Sequence, residues 1–498
     1  FPSSILETLH QDRPQCRLHL DSFWLRSHDS QETDPRELAI LTSPSLHSVK
    51  LGRSSHSAIA NKRYESLLWL LELAPNLKEV HLADWTPKDL PSQEPNVRPR
   101  PAPLEKLRFA DGLPWLIHGG NIRRWNHYID FAALRDLKIG LPTHYNPTDL
   151  SYVTDHPFPS LKFLSLDLSR GSMPVDCYEV VTGFLRSLPP LFELELIGWH
   201  MLIPIESIVS RHGPHLRKLK LTRPLLLQCL NEQEIYQISK HCPVLEELAI
   251  MINRTQGNSR EVALYKALGT IKNLKYLDLN YETSLTAEPD GVLPREAVIC
   301  STFMLGKEGH DMPTDPLFDE FDNEFCPDSL GFGFRFRNGH MRRMIIDSII
   351  DENLARAIFQ CISSTKPPGY PLLEDLTIKV NDIGHYERSW VVSDTTVYWH
   401  VQRNPCYSDR EELMVEESPP RTETRSCCKP WRETRKEEHL EPWLETIFYQ
   451  LFPAAKQKEK PRNFLKKLAG KRAYERTGLP VTWWHHVHSF PLASEDQL

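Results

Sequence analysis

Four clusters in the sequence carry residue types that could do chemistry. His485-His486-Val487-His488 places three imidazoles within four residues. Adjacent side chains of an extended segment diverge, and no Cys or carboxylate stands at ligand spacing from these, so a packed or surface role is expected rather than a metal site. Cys427-Cys428 lacks the two-residue spacer of redox and zinc motifs and reads as exposed thiols in a loop. Asp319 to Glu324, within the acidic stretch Asp311 to Asp328, lacks the central Gly and terminal Glu of a calcium loop and reads as a solvated acidic segment. Gly331-Phe332-Gly333 is followed by neither a third Gly nor Gly-Lys-Ser/Thr, so it is no phosphate loop. No nucleophile elbow, kinase set or paired catalytic motif appears. No catalytic residue, cofactor or metal is therefore expected, and the chain reads as a non-enzyme.

The elements that would position any site must come from 498 residues, more than one hydrophobic core usually holds, so the chain divides or extends as a stack. A net charge of -7 gives no global attraction to nucleic acid or anionic membrane. No stretch approaches the roughly 20 apolar residues that cross a bilayer. Ten scattered Cys lack the density of a disulfide framework, so most are expected to be reduced core residues and the location intracellular, cytoplasmic or nuclear. The 40 Pro against 21 Gly point to many proline-stopped elements rather than flexible linkers.

Laying the chain on itself reveals a repeat. The pattern Leu-x-x-Leu-x-Leu, with Ile, Val or Phe substituting, begins at Leu46, Leu77, Leu104, Leu134, Leu161, Leu191, Leu216, Leu245, Leu274 and Leu373, with a weaker copy at Leu18/Leu20. Successive starts lie 25 to 31 residues apart until a final gap of 99. Proline precedes the motif at Pro44, Pro75, Pro159 and Pro243, where it ends a helix and opens an extended segment. Ahead of the motifs, apolar residues recur at helical spacing, as in Leu67/Leu70/Leu71, Val181/Phe184/Leu185/Leu188, Ile235/Ile238/Cys242 and Val262/Tyr265/Leu268. Each unit is thus strand, loop and helix, which buries both apolar faces only when stacked on neighbours.

The string His241-Cys242-Pro243-Val244-Leu245-Glu246-Glu247-Leu248-Ala249-Ile250-Met251-Ile252-Asn253 resembles a leucine-rich repeat of the cysteine-containing subtype common in F-box proteins. Asn381 takes the place of Asn253 after the Leu373 copy, whereas Ser169, Trp199 and Glu282 depart from it, so the stack is expected to be irregular. Through Arg13-Pro14-Gln15-Cys16-Arg17-Leu18-His19-Leu20 and Trp484 to Leu492, the chain is also similar to fungal F-box-associated repeat proteins. The resemblance implies an α/β leucine-rich-repeat solenoid, a curved parallel sheet with outer helices. It also implies the substrate-binding part of an F-box subunit in an SCF-type ubiquitin ligase. The F-box, which would dock a Skp adaptor and through it the cullin complex, would have to precede Phe1. The other reading is a stand-alone repeat scaffold.

The expected layout is repeats over 1-290, an insertion or degenerate repeats over 291-342, and a resumed repeat over 343-402. A polar, disordered loop over 403-440 and a C-terminal helix and cap over 441-498 follow. In the resumed repeat, Ile345, Ile349, Leu354, Ile358 and Cys361 form the stripe of one helix from Arg343 to Ser363, and Gly331 to Arg337 alternates like a strand. Glu441 to Phe452 is a short amphipathic helix and Lys456 to Arg476 a basic, solvated one. The residues flanking each second Leu point away from the core. Lys106, Arg108, Lys138, Glu193, Glu195, Lys218, Lys220, Glu247 and Asp278 are accordingly the candidate partner-binding residues of a concave strand face. The opposite signs of Glu193/Glu195 and Lys218/Lys220 predict a cross-strand ladder.

Overall fold

A computed structural model describes residues 3–13, 15–23, 35–51, 70–74, 76–82, 101–109, 128–140, 158–168, 175–200, 202–222, 229–282, 310–311, 314–325, 334–335, 337–348, 350–380, 398–404 and 412–418. They fall into two compact units, one of residues 1–225 with His241–Leu245, the other of Leu226–Lys240 with Glu246–Leu498.

Among the described residues the first unit carries eight strands: β1 (Leu18–Phe23), β2 (Leu46–Leu51), β3 (Glu79–Leu82), β4 (Lys106–Phe109), β5 (Asp136–Gly140), β6 (Phe163–Asp167), β7 (Glu193–Ile197) and β8 (Lys218–Thr222). Each pairs in parallel with the next. From β2 to β8 the register holds the second motif position in one line, Val49, Val80, Leu107, Leu137, Leu164, Leu194 and Leu219, all buried. Alternation puts the third position on the same side, and fully burying each such leucine contributes about 1.5 to 3 kcal/mol. The entry to each strand is a tight turn in which the first leucine donates its amide to the carbonyl three residues back. The bonds run from Leu46 to Ser43, Leu134 to Phe131, Leu161 to Phe158 and Leu216 to Gly213, at 3.1 to 3.3 Å. Proline at Pro44 and Pro159 fits this turn because it fixes φ and needs no donor there.

Four helices of this unit are described, α1 (Ser3–Asp12), α2 (Pro35–Leu41), α3 (Val175–Ser187) and α4 (Ile205–His212). The expected stripe of α3, Val181, Phe184 and Leu185 with Leu188 just beyond, is buried. The last turn of α4 is fastened to α3 by polar groups. His212 bonds the Leu185 carbonyl at 2.9 Å and Arg211 donates to the Leu188 carbonyl at 3.1 Å.

In the second unit α5 (Glu232–His241), β9 (Glu247–Asn253), α6 (Ser259–Gly269) and β10 (Tyr276–Glu282) continue the strand–helix order. Ile235, Ile238, Val262, Tyr265 and Leu268 face inward as their spacing requires. After an excursion, α9 (Glu352–Ser364) and β13 (Asp375–Val380) supply the next repeat. Here β10 pairs with β13 in parallel over six residues, Tyr276↔Asp375 to Tyr281↔Val380, just as it pairs with β9 on its other side. The buried line Leu248, Leu277, Leu376 crosses the splice unbroken. Lys366 fastens it by donating to the Ile271 and Leu274 carbonyls at 2.7 and 2.6 Å, and its burial lowers its pKa to about 8.

Three expectations for this region are corrected. The single helix from Arg343 to Ser363 is two, α8 (Asn338–Ser348) and α9, because the Asp351 side chain accepts from Leu354 N at 2.8 Å and caps a new helix. Of the strand expected over Gly331 to Arg337, Phe334–Arg335 form β12, paired in parallel with β11 (His310–Asp311), and residues 331–333 and 336 lie outside the described residues. The acidic run is not wholly solvated. In α7 (Glu320–Asn323), Asp319 and Asp322 form a capping box, Asp322 is buried against Arg342 at 2.8 Å, and Asp315 meets Arg343 at 2.6 Å. Finally, the resumed repeat ends in β14 (Tyr398–Arg403) and β15 (Leu413–Ser418), which run antiparallel, β14 against β13 and β15 against β14. β15 thus orders part of the segment assigned to a polar loop, paired with β14 over six residues from Tyr398↔Ser418 to Arg403↔Leu413. The proposed features at Cys427-Cys428, Glu441 to Phe452, Lys456 to Arg476 and His485 to His488 lie outside the described residues.

Candidate partner-binding strand face

Three rows of side chains line the strand face away from the helices, at one, two and four residues after each first leucine. In the first unit the register sets Ser48, Glu79, Lys106, Asp136, Phe163, Glu193 and Lys218 side by side in the second row. Lys50, His81, Arg108, Lys138, Ser165, Glu195 and Lys220 form the third. The structure therefore brings together seven of the nine candidates, with Glu193 opposite Lys218 and Glu195 opposite Lys220. Lys106, Arg108 and Glu193 are exposed, while Lys138, Glu195, Lys218 and Lys220 are partly so. Glu247 and Asp278 belong to the second unit, where Glu247 stands opposite Tyr276 and Asp278 opposite Ala249 and Thr377.

The sequence reading missed the first row: His47, Lys78, Glu105, Arg135, Lys162, Phe192 and Arg217 in the first unit, then Glu246, Lys275 and Glu374 in the second. It was visible in principle, since the residue after each first leucine is polar in nearly every copy. Main-chain bonds fix these residues, as in Arg135 N to the Glu105 carbonyl at 2.8 Å and Arg217 N to the Phe192 carbonyl at 2.8 Å.

Counterions tie the rows together. Lys106 meets Glu79 at 2.7 Å, and Arg108 clasps Asp136, its Nε 3.1 Å from both carboxylate oxygens. That hydrogen bond raises the Arg108 pKa and permits Asp136 to be buried. Glu105 lies 3.5 Å from Lys78 and 3.8 Å from Arg135, and Ser165 donates to Glu195 at 2.6 Å. The Lys162 ammonium stands 5.4 Å from the Phe192 ring centroid. Across β2 to β8 the three rows hold ten Lys or Arg against five Asp or Glu, and Lys50 takes Asp21 of β1 as a further counterion at 3.2 Å, so the rows carry net positive charge.

The same rows on β9, β10 and β13 hold five acids, Glu246, Glu247, Asp278, Glu374 and Asp375, against Lys275 alone. Lys275 lies 3.7 Å from Glu374, Tyr276 donates to Glu374 at 2.9 Å, and His400 bonds Asp375 at 2.5 Å. Lys379, one row further on, pairs with Asp278.

Below the strand ends of the second unit lies a polar cluster that the sequence reading also missed. Arg254 and Glu261 pair at 2.5 Å with their side chains 1% and 0% exposed. Glu261 also accepts from Thr255 N at 2.7 Å, Gly257 N at 2.9 Å and the Tyr265 hydroxyl at 2.6 Å, and Tyr265 meets Tyr281 at 2.5 Å. Asn258 caps α6 by accepting from Glu261 N, so Asn258-Ser259-Arg260-Glu261 was a legible start signal. Asp347 of α8 is buried beside this cluster, and burial raises its pKa to about 8. Among the described residues no group of three or more His, Cys, Asp or Glu could hold a metal ion, and no helix is long and apolar enough to cross a membrane. Cys16, Cys177, Cys229, Cys242 and Cys361 are in no disulfide. Burial pushes the Cys177 and Cys242 thiols up to about 11 and about 12.

In-register parallel strands built on a recurring Leu-x-x-Leu-x-Leu frame, alternating with backing helices, define a leucine-rich-repeat α/β fold. No family model matches the chain, and none of the curated proteins does. It is similar to the crystal structure of the Rad7 and Elc1 complex in yeast, at 14% identity, with 56% of this chain and 75% of that one covered and a TM-score of 0.30. It is also similar to the leucine-rich repeat-containing protein LegL7 from Legionella pneumophila, at 14% identity, 59% and 92% coverage and a TM-score of 0.29.

Proposed function

We propose that the strand face centred on Lys106, Arg108, Lys138, Glu193, Glu195, Lys218 and Lys220 recognises a protein. We further propose that the chain is the substrate-binding part of an F-box subunit of an intracellular SCF-type ubiquitin ligase. The observation that carries the first half is the lattice itself: three rows of mostly charged side chains, fixed in register over seven strands by a buried leucine line. Such a face is pre-organised, so a partner pays little ordering entropy on binding. The ligase half rests on the F-box-type repeat string His241 to Asn253.

The two halves are tested separately. Lys218→Glu with Lys220→Glu is expected to lower capture of the cellular partner at least several-fold while leaving the chain folded at a cost of about 0.5 to 2 kcal/mol, since each new Glu stands opposite Glu193 or Glu195. Unchanged capture by a folded variant refutes the face. An F-box encoded upstream of Phe1 and co-purification of the natural protein with a Skp adaptor are expected. Their absence replaces the ligase reading with a stand-alone scaffold.

A further inference from the structure

We infer that the partner of the first unit's face is an acidic peptide segment carrying a central apolar side chain, bound across β2 to β8. This inference rests on the proposed recognition role. Two observations carry it. The first is sign: these rows hold ten cations against five acids, with Asp21 of β1 as a further counterion on Lys50, in a chain whose net charge is -7. The excess is therefore local, and a local field of one sign selects a partner of the other and speeds encounter. The second is apolar: Phe163 and Phe192 are the half-buried aromatics of an otherwise polar lattice, on neighbouring strands near its middle, with Lys162 beside Phe192. A partly buried aromatic ringed by charges is the usual anchor of a protein interface.

Size agrees with a peptide. Seven strands spaced about 4.8 Å span roughly 29 Å, the length of about nine extended residues. The side chains that face the segment from the first row are Lys78, Arg135, Lys162 and Arg217, each at a strand start. They offer one cation every strand or two, a spacing that carboxylates on a crossing chain can meet.

The experiment uses the full chain and fluorescein-labelled ten-residue peptides: Glu-rich with a central Leu, the same peptide with Ser for Leu, and a Lys-rich control. Anisotropy is expected to show binding of the Glu/Leu peptide alone or at least tenfold tighter than the Lys-rich one, weakening as salt rises. Arg135→Glu with Lys162→Glu should weaken it about tenfold at low salt and under about threefold at high salt. Should that variant fail to fold, Arg135→Gln with Lys162→Gln is expected to give the same trend at smaller size. Phe163→Ala is expected to weaken the Leu peptide, but not the Ser peptide, without changing the salt dependence. Equal binding of the Lys-rich peptide, or tighter binding of single-stranded DNA of equal charge, overturns the inference. So does a Glu/Leu peptide that fails to displace a partner captured by the same face, although that result leaves the recognition role standing. Capture of no partner and no peptide removes both.

Discussion

The two units use one backbone frame to opposite electrostatic effect. On β2 to β8 the outward rows are cationic and their acids serve as counterions, with Asp136 clasped by Arg108. On β9, β10 and β13 the same rows are acidic, and the cation Lys275 is the counterion. The interiors differ as well. The first unit buries neutral imidazoles, His200 stacked on Tyr178 at 4.3 Å and His212 bonded to Leu185, and burial lowers both their pKa values. The second buries a charged pair and a protonatable acid, in Arg254, Glu261 and Asp347. A leucine frame therefore fixes strand position and leaves both the face and the strand ends open to different chemistry.

The largest test of this contrast is Glu261→Ala. Removing the carboxylate takes from Arg254 its ion-pair partner, leaving Asp347 as the nearby acid, and deprives the Thr255 and Gly257 amides and the Tyr265 hydroxyl of an acceptor. A loss of about 3 to 5 kcal/mol is expected. Hydrogen exchange should show lost protection in β9, α6 and β10 while β4 to β7 hold. Equal loss in both units would mean that their stabilities are not separable.

Glycine gives the next comparison. A Cβ at Gly269 would stand 1.8 Å from Thr365 Oγ1 and 2.5 Å from the Ile362 carbonyl of α9, whereas one at Gly183 in α3 meets nothing within 4 Å. Gly269→Ala should therefore cost about 1 to 3 kcal/mol, because α6 and α9 must part. Gly183→Ala should stabilise by about 0.5 to 1 kcal/mol, because it removes helix-interior glycine at no steric cost. Chemical denaturation of the two variants measures both. A stable Gly269→Ala protein would contradict the close packing of α9 on α6.

The last effect is on pH, and its sign differs between the units. Burial lowers the His200 pKa from 6.5 to about 4, so between those values the unfolded chain holds a proton that the folded one lacks. The first unit thus loses stability as pH falls through that window. Burial raises the Asp347 pKa from 3.8 to about 8, so across that range the folded chain holds the extra proton, and the second unit loses stability as pH rises. Exchange rates followed from pH 5 to 8 should show the opposed slopes, with His200→Gln and Asp347→Asn each flattening that of its own unit. Parallel slopes would refute the contrast.

The strands and their inward leucines were legible because one motif at one period fixes both spacing and side. The helix stripes before Leu191, Leu245 and Leu274 were legible for the same reason, and so was the outward position of Lys106, Arg108, Glu193 and Lys218. What periodicity does not carry was not. The break before α9 depends on one Asp351 side chain, and the burial of Asp322 depends on Arg342, 20 residues away in sequence. β15 has too few apolar residues to stand out from its polar surroundings. The sign of each face already stands in the second and third rows, six cations against four acids on β2 to β8 and three acids against no cation on β9, β10 and β13, and the first row widens it.

The direct pairing of β10 with β13 has a consequence for how the chain emerges from the ribosome. Tyr276 waits 99 residues for its partner Asp375, whereas Glu247 waits 29 for Tyr276. The entropic cost of closing the longer loop is only about 1 kcal/mol greater, so the finished fold tolerates it. Synthesis time is less forgiving. At about 5 to 20 residues per second the outer edge of β10 stays unpaired for about 5 to 20 s, against about 1.5 to 6 s for β9. An open parallel edge is a template for other chains, so β10 is the strand where a nascent molecule is most exposed to mispairing and where chaperone cover would matter most.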